Sequence, residues 1–329
     1  MRTGVLTIAL LAVVTAAQSA VIRVKPTGSD GNSGLDWNHA KATVGAAIQT
    51  AAAGDEIWVA AGIYNERIRN RVSGELCVDV AVYGGFAGTE TSRGERDFAA
   101  NATILDGGAA GSVVTIDALA GPGMRIDGFR IRNGDAMSGG GISITASAPT
   151  IANNDILGNA ADMGGGIAVW GFRTIPPAAH ARIESNVIQV NRGGSGGGGI
   201  AIVGASCEVV NNVITRNTTG GEGGGIGIWV ADSAKIARPR IANNFIYENA
   251  SNLTTPGMTV GGGGIYATER DINGEPVAFG ICAPRIEDNV IAANAAMACG
   301  GGIAIVNAQT ESAPVTNNTI LGNSGSGVC

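Results

Sequence analysis

Residues 151–159 read Ile-Ala-Asn-Asn-Asp-Ile-Leu-Gly-Asn, and the pattern of this phrase returns along the chain. In every copy an apolar residue is followed by Asn at the fourth place, Ile at the sixth and Asn at the ninth. The six copies are 151–159, 183–191, 209–217, 241–249, 286–294 and 315–323. Fixed phrases separated by variable spacers are typical of stacked structural repeats, in which each unit packs on its neighbours.

A second phrase, Gly-Gly-Gly-Ile, alternates with the first. Its copies are 139–142, 164–167, 197–200, 223–226, 262–265 and 300–303. Three consecutive glycines would break a helix, and the aliphatic residues that follow alternate, as Ile167 and Val169 do, which indicates strands. We therefore predict an all-β solenoid, a parallel β-helix with three short strands per coil and inward aliphatic side chains.

The repeated Asn has a structural explanation. A sharp bend between strands needs a residue that tolerates the left-handed region, and Asn does so best after Gly. Its amide can also bond to the same Asn one coil on, which predicts an Asn ladder. The glycines are expected to mark a second bend where backbone passes close to backbone.

The chain has 21 basic and 27 acidic residues, a net charge of −6, which argues against a nucleic-acid partner. Residues 1–20 contain Arg2, an apolar run from Val5 to Ala17 and small residues at the end, which predicts a signal peptide. We expect a secreted or cell-surface protein, with membrane attachment only through an anchor outside this sequence. Cys282 and Cys299 lie in one coil and are the predicted disulfide pair in an oxidising compartment.

Residues 126–323 resemble the right-handed parallel β-helix repeats of the pectate-lyase-like superfamily. The preceding segment resembles the N-terminal cap of bacterial exported proteins of that class. The segments that carry this second resemblance are 28–34, 46–48, 53–64, 83–91 and 103–108. The resemblance covers nearly all of the mature chain and implies architecture more than activity, since its members include pectin-degrading enzymes and adhesins.

The organisation follows from these patterns. We predict a cap and first coils over residues 21–110 and β-helix repeats over 111–329. Val44, Ala47, Ile48 and Ala51 are spaced as one face of a capping helix. Residues 324–329 look like the start of another Gly-rich strand, so we expect the natural chain to continue.

Function on a solenoid is expected in outward side chains and inserted loops. The longest spacers follow the Gly-Gly-Gly-Ile strands and should project from one side, which we call the looped face. Aromatic residues gather there, and Trp170 and Trp229 should both point outward, two coils apart with Val203 between them. The predicted ligand-binding residues of the looped face are Trp170, Phe172, His180, Trp229 and Tyr266. Exposed Trp beside polar groups suits stacking on sugar rings, whereas the alternative is that these aromatics pack the loops onto the helix.

Catalytic patterns are incomplete. Glu269, Arg270 and Asp271 form the best local acid–base set and are weak catalytic candidates. Arg130-Ile131-Arg132 resembles the basic strand of polygalacturonase-type enzymes, but the sequence lacks the aspartates that should accompany it. We therefore interpret the arginines as solvent-facing residues beside an inward Ile131.

Metal chemistry has little support. Pectate lyases hold Ca²⁺ with several carboxylates, and no acidic residue recurs at one position in consecutive coils; Glu184 and Glu287 share a position three coils apart. Residues 30–34 have a composition that suits Ca²⁺, but a turn is favoured there. We expect no cofactor and no metal-ligand residues, with Ca²⁺ left as the alternative.

Three functions remain open. The first is binding of a polysaccharide or cell-surface glycan through the looped face without chemistry of its own. The second is a polysaccharide lyase or glycoside hydrolase, and the third is a structural spacer or adhesin. Exposed, aligned Trp170 and Trp229 would favour binding; converging carboxylates would favour an enzyme; buried Trp side chains would favour a spacer.

Overall fold

A computed structural model describes residues 19–327, except 73–75, 78, 118–119, 172–179, 232–235, 253–260 and 307–310. The chain is a right-handed parallel β-helix, as predicted. Among the described residues, no helix is both long enough and apolar enough to cross a bilayer. Most of the predicted signal peptide lies outside the described residues.

Four long sheets run along the solenoid, and we name them A to D in the order in which a coil visits them. Sheet A has ten strands, at Val21–Val24, Glu56–Ala60, Ala81–Phe86, Arg125–Asp127, Thr150–Ala152, Arg182–Glu184, Glu208–Val210, Arg240–Ala242, Arg285–Glu287 and Val315–Thr316. Sheet B has nine strands, at Gly62–Tyr64, Thr103–Asp106, Phe129–Arg132, Asp155–Leu157, Val187–Gln189, Val213–Thr215, Phe245–Tyr247, Val290–Ala292 and Thr319–Leu321.

Sheet C has seven strands, at Asp135–Ser138, Ala160–Met163, Arg192–Gly196, Thr218–Thr219, Ala250–Ser251, Ala295–Cys299 and Ser324–Gly327. Sheet D has eight strands, at Ile68–Arg69, Val114–Ile116, Ile142–Thr145, Ile167–Trp170, Ile200–Val203, Ile226–Trp229, Ile265–Thr268 and Ile303–Val306. Sheets A, B and D contain the three predicted strands of each coil. Sheet C is a fourth strand that the sequence analysis missed, because its residues are mostly small and lack an aliphatic alternation.

Smaller elements complete the fold. Ile236–Ala237 pairs in parallel with Ile281–Cys282, and Arg71–Val72 pairs antiparallel with Leu76–Cys77. One α-helix spans Val44–Thr50, and Arg93–Glu95 forms a 3-10 turn. The helix buries Val44, Ala47 and Ile48 against the core at the first coils. Its equivalence to the cap of exported proteins stays a prediction.

The core is a set of stacked aliphatic rows. Ile151, Ile183, Val209, Ile241 and Ile286 follow one another in register in sheet A, and all are fully buried. Burial of each such side chain contributes about 1.5–3 kcal/mol. In-register stacking of Ile and Val therefore stabilises the contact between successive coils.

The Asn ladder is confirmed, but its role at the bend differs from the prediction. The ladder side chains point inward and are buried, as Asn154, Asn186 and Asn212 show. The left-handed backbone belongs to the residue just before each of them, such as Asn153 at φ 56° and Ser185 at φ 55°. The ladder Asn turns its amide inward because it must bond to neighbouring coils, so its predecessor makes the bend.

The Gly-Gly-Gly phrases follow the prediction more closely. Gly164, the first of its triplet, has φ 69°, which favours glycine. A Cβ on the third glycine, Gly166, would lie 2.6 Å from the carbonyl oxygen of Gly199 and 3.1 Å from Nδ2 of Asn191. The third glycine therefore lets the backbone of one coil pack directly on the next and on the second Asn ladder.

Cys282 is a free thiol in the core, so the predicted disulfide with Cys299 is not formed. The side chain of Cys299 is outside the described part of the chain.

Candidate functional site

The outer surface of sheet D carries three of the residues predicted to bind a ligand, Trp170, Trp229 and Tyr266. Trp170, Val203 and Trp229 stand in register on consecutive strands, as expected from the sequence. Trp170 is half-buried, but Trp229 is only 3% exposed. The prediction that both indoles are exposed is therefore wrong for Trp229.

The burial of Trp229 has a local cause. Its six-membered ring lies over Gly227 and Gly196, where any Cβ would collide with the indole. The ring also packs against Tyr266, with 5.8 Å between centroids and 50° between planes. Because Gly196 and Gly227 have no Cβ, the indole of Trp229 lies flat on the outer surface of sheet D and is covered.

The other predicted binding residues of the looped face differ in their exposure. Tyr266 is buried in the same cluster as Trp229, and Nε1 of Trp170 donates to Oγ of Ser138 at 2.6 Å. His180 is exposed, and Phe172 lies outside the described residues. The structure thus brings Trp229 and Tyr266 together as packing residues.

The weak catalytic candidates build a turn. The Asp271 carboxylate accepts hydrogen bonds from the backbone N–H of Asn273 at 2.9 Å and of Glu275 at 2.8 Å. Nη1 of Arg270 donates to the carbonyl oxygen of Gly274 at 2.7 Å. Asp271 and Arg270 are therefore engaged in holding the 270–275 turn, beside half-buried Glu269.

Glu222 is a residue that sequence reasoning missed. It stands just before a Gly-Gly-Gly phrase, in register with Gly196, and is half-buried close to Tyr266. Burial raises the pKa of the Glu222 carboxyl, and burial together with the Glu222 charge raises the pKa of Tyr266 to about 12. No signal marked Glu222, because the equivalent position holds Ser138, Met163 and Gly196 in earlier coils.

Sheet A carries arginines and acids that neutralise one another. Glu184 and Glu287 do share one outward row three coils apart, as predicted. Arg182 binds Glu184 at 2.5 Å, and Glu287 binds Arg240 at 2.6 Å and Arg285 at 3.0 Å. These carboxylates are paired with cations and do not converge on one another.

Arg130 and Arg132 flank the inward, fully buried Ile131, which confirms that part of the interpretation. Each of these arginines is paired with an aspartate from a neighbouring coil. Nε of Arg130 donates to Asp155 at 3.1 Å, and Nε of Arg132 donates to Asp106 at 2.9 Å. Sequence reasoning missed these pairs because each partner is about one coil away along the chain.

Arg130 and Asp155 form part of a small, shallow cleft of about 60 Å³ between sheets A and B, which we call the corner cleft. It is lined by Phe98, Ala102, Thr103, Gly128, Phe129, Arg130, Asn153 and Asp155. Phe98 is 45% exposed and comes from the segment that links sheet A to sheet B after Phe86. The Arg96 guanidinium lies 5.6 Å from the Phe98 ring and also binds Asp127 at 2.7 Å, so the ring has a fixed support.

The corner cleft combines the Phe98 ring with a hydrogen-bond donor, Arg130, an acceptor, Asp155, and the amide of Asn153. The Asn153 amide is held in place by donating to both Asp127 carboxylate oxygens at 3.1 Å. Arg130 and Asp155 balance each other's charge. Such a cleft can stack on one face of a ring and bond to its hydroxyl groups.

Residues 30–34 form the favoured turn. The Lys41 ammonium, buried within the turn, donates to the carbonyl oxygens of Asp30 at 3.1 Å and Asn32 at 2.8 Å. The Lys41 ammonium therefore occupies the position beside these carbonyl oxygens where a bound Ca²⁺ would lie. Across the described residues, no group of three or more His, Cys, Asp or Glu side chains is placed to hold a metal ion.

Comparison with known proteins finds relatives of the fold. No curated protein matches the chain significantly. The structure of XylC in complex with xylose is similar at a TM-score of 0.50 and 12% identity, over 87% of this chain and 63% of that one. Pectate lyase Pel9A is similar at a TM-score of 0.47 and 12% identity, over 95% of this chain and 79% of that one. This chain thus spans less than two thirds of XylC. Residues 27–267, most of the chain, match the family described as protein of unknown function DUF1565, and the chain therefore belongs to that family.

Proposed function

We propose that this protein binds a polysaccharide or cell-surface glycan at the corner cleft, without chemistry of its own. The observation that carries the proposal is the presence of exposed Phe98 beside Arg130, Asn153 and Asp155 in one cleft. An aromatic face suits the apolar face of a pyranose ring, and fixed polar groups around it suit the hydroxyl groups. The proposed site lies away from the looped face, where Trp229 is covered.

The absence of chemistry is proposed from the state of the carboxylates. Asp155 lines the cleft and binds Arg130 at 3.1 Å, and Asp127, which accepts from the lining residue Asn153, binds Arg96 at 2.7 Å. A pair of acids that breaks a glycosidic bond needs one proton donor and one base or nucleophile facing the same bond. In the described structure these two carboxylates are oriented toward arginines and do not face each other across the cleft.

The test is calorimetric titration of the purified protein with two probes, neutral xylohexaose and acidic hexagalacturonate. We expect binding of at least one, lowered at least tenfold by Phe98→Ala or by Arg130→Gln, a loss of about 1.4 kcal/mol or more. Arg285→Gln is the matched control, because Arg285 also forms an exposed ion pair but lies on sheet A. Rupture of an exposed ion pair costs about 0–1 kcal/mol, so both arginine variants should fold.

Binding that is equal in all three variants would refute the corner cleft as the site. Reducing ends or unsaturated products released from either probe would refute the non-catalytic part of the proposal.

A spacer or adhesin is the second candidate: it predicts that both Trp170 and Trp229 are buried, and the structure buries Trp229 while Trp170 is half-buried. It predicts no binding of either hexasaccharide by the wild-type protein. Secretion or display at the cell surface is part of both proposals and is tested by fractionating cells that produce the full chain.

A further inference from the structure

The outer surface of sheet B continues from the corner cleft toward the C-terminal coils. Arg130, Asp155, Val187, Val213 and Phe245 occupy one outward row, each in register with the next. Four coil spacings separate Arg130 from Phe245, a distance of about 19 Å. The row therefore connects the cleft to a second region of the same flat surface.

That second region has an exposed aromatic pair. Phe245 and Tyr247 stand on either side of the inward Ile246, and their ring centroids are 4.5 Å apart with 38° between planes. Phe245 is 42% exposed. A pair of rings on an open sheet offers an apolar platform that one coil of the solenoid holds rigidly.

Thr215 beside the pair has an unsatisfied hydroxyl. Its side chain is 3% exposed, and in the described part of the chain its Oγ1 is the sole buried side-chain N or O atom without a hydrogen-bond partner. Thr215 stands in register between Gln189 and Tyr247, on the outer side of sheet B. A buried hydroxyl without a partner is unfavourable for stability, so a ligand hydroxyl that reaches it would gain an otherwise missing bond.

Val190 marks backbone strain at the same place. It has φ 55° and is 55% exposed, one residue after Gln189. A β-branched residue in the left-handed region is strained, and Gly158 holds the equivalent position one coil earlier. The same left-handed bend precedes the ladder Asn in the neighbouring coils, at Gly158 and Arg216, so the φ of Val190 belongs to the turn before Asn191.

The charges nearby balance each other. Nε of Arg216 donates to Glu248 at 2.9 Å at the corner of the sheet next to Thr215 and Tyr247. A surface with aromatic rings, an unpartnered hydroxyl and a neutral ion pair suits a hydroxyl-rich, ring-shaped ligand better than an ion.

We propose that Phe245, Tyr247 and Thr215 form a second glycan subsite, and that one extended chain lies along sheet B from the corner cleft to this pair. The inference rests on the proposed function and specifies its ligand as an extended chain. Occupation of both subsites by one chain raises its affinity, because the second contact is intramolecular. Because Thr215 is 3% exposed, neighbouring side chains must shift before a ligand hydroxyl can reach its Oγ1.

The experiment compares a disaccharide with a hexasaccharide, because only the longer chain can span both subsites. The probes are xylobiose with xylohexaose and digalacturonate with hexagalacturonate. We expect the hexasaccharide to bind at least tenfold more tightly than its disaccharide. Phe245→Ala and Tyr247→Ala should reduce hexasaccharide affinity to the disaccharide level and leave the disaccharide unaffected. Phe279→Ala, at another exposed aromatic residue outside this row, is the control and should change neither.

Thr215→Val separates a ligand role from a structural one. The substitution keeps the shape and removes the unpartnered hydroxyl, so thermal stability should rise by a few degrees. A ligand role requires that hexasaccharide affinity falls although the protein is more stable. A rise in stability with unchanged affinity would remove Thr215 from the subsite.

The two proposals fail in different ways. Disaccharide binding that depends on Phe98, with hexasaccharide binding unaffected by Phe245→Ala and Tyr247→Ala, would overturn the second subsite alone. Failure of the wild-type protein to bind any of the four probes would overturn the corner cleft and the second subsite together.

Discussion

The backbone N–H and the side-chain amide of Asn154 both donate to Oδ1 of Asn186, one coil away, at 3.0 Å. Asn186 repeats the arrangement with Asn212, so every interior ladder Asn both donates and accepts inside the core. We predict that Asn186→Ala lowers the free energy of unfolding by about 2–4 kcal/mol, because it leaves buried polar groups of two coils without partners. Urea unfolding followed by circular dichroism measures the change.

Asn318 is the control for the ladder. It lies at the last described step and is only half-buried, so water can replace part of its bonding. Asn318→Ala should cost markedly less than Asn186→Ala. Equal losses would mean that the ladder contributes nothing beyond the local turn.

A second prediction concerns close backbone packing. Gly166→Ala places a methyl group 2.6 Å from the carbonyl oxygen of Gly199 and should cost about 2 kcal/mol or more, since backbone cannot yield cheaply. Gly158→Ala is the matched variant, because Gly158 has φ 63° but nothing within 4 Å of its Cβ. It should cost about 1 kcal/mol from backbone strain alone. Thermal unfolding of both variants compares them, and a reversed order would refute the packing argument.

The raised pKa of Glu222 should make a measurable contribution to the pH dependence of stability. Burial raises its pKa in the folded state, so the folded protein binds the proton more tightly than the unfolded chain does. The contribution of Glu222 is therefore most favourable below the ordinary Glu pKa and declines as the pH rises toward the raised value. Glu222→Gln should remove this decline. Melting temperatures of both proteins from about pH 4 to pH 8 make the comparison, and parallel curves would contradict it.

Buried thiols should resist alkylation. Burial raises the pKa of Cys207 and of Cys282 to about 12, and the thiolate is the reactive form. We expect iodoacetamide at neutral pH to leave both unmodified in the native protein and to label both in urea. Peptide mass mapping gives the readout for each residue. Rapid labelling of Cys282 in the native state would show that the coil around it opens readily.

Much of the fold follows from the sequence because the repeated residues have one dominant physical role. Ile156 and its equivalents can only face the core, and Asn154 and its equivalents fix the register of adjacent coils. The fourth strand of each coil was missed because backbone pairing, which is independent of residue type, holds sheet C together.

The candidate sites were harder to predict because they depend on contacts between coils. An outward position for Trp229 follows from strand alternation, but its burial depends on glycines at 196 and 227. That Arg130 lies beside Asp155, and Thr215 beside Tyr247, can be predicted only once the register between coils is known. Local sequence gives the direction of a side chain, whereas its neighbours in the adjacent coils are given by the register between coils.

The two Asn ladders close at 2.9–3.0 Å at every step, although the chain between successive ladder residues varies from 26 to 45 residues. Loop length is thus uncoupled from the stacking of coils. Gain or loss of a whole coil would preserve both ladders, whereas deletion of one residue inside a strand would reverse its inner and outer faces. The solenoid can therefore be lengthened or shortened by whole coils, while the loops between strands vary in length and sequence.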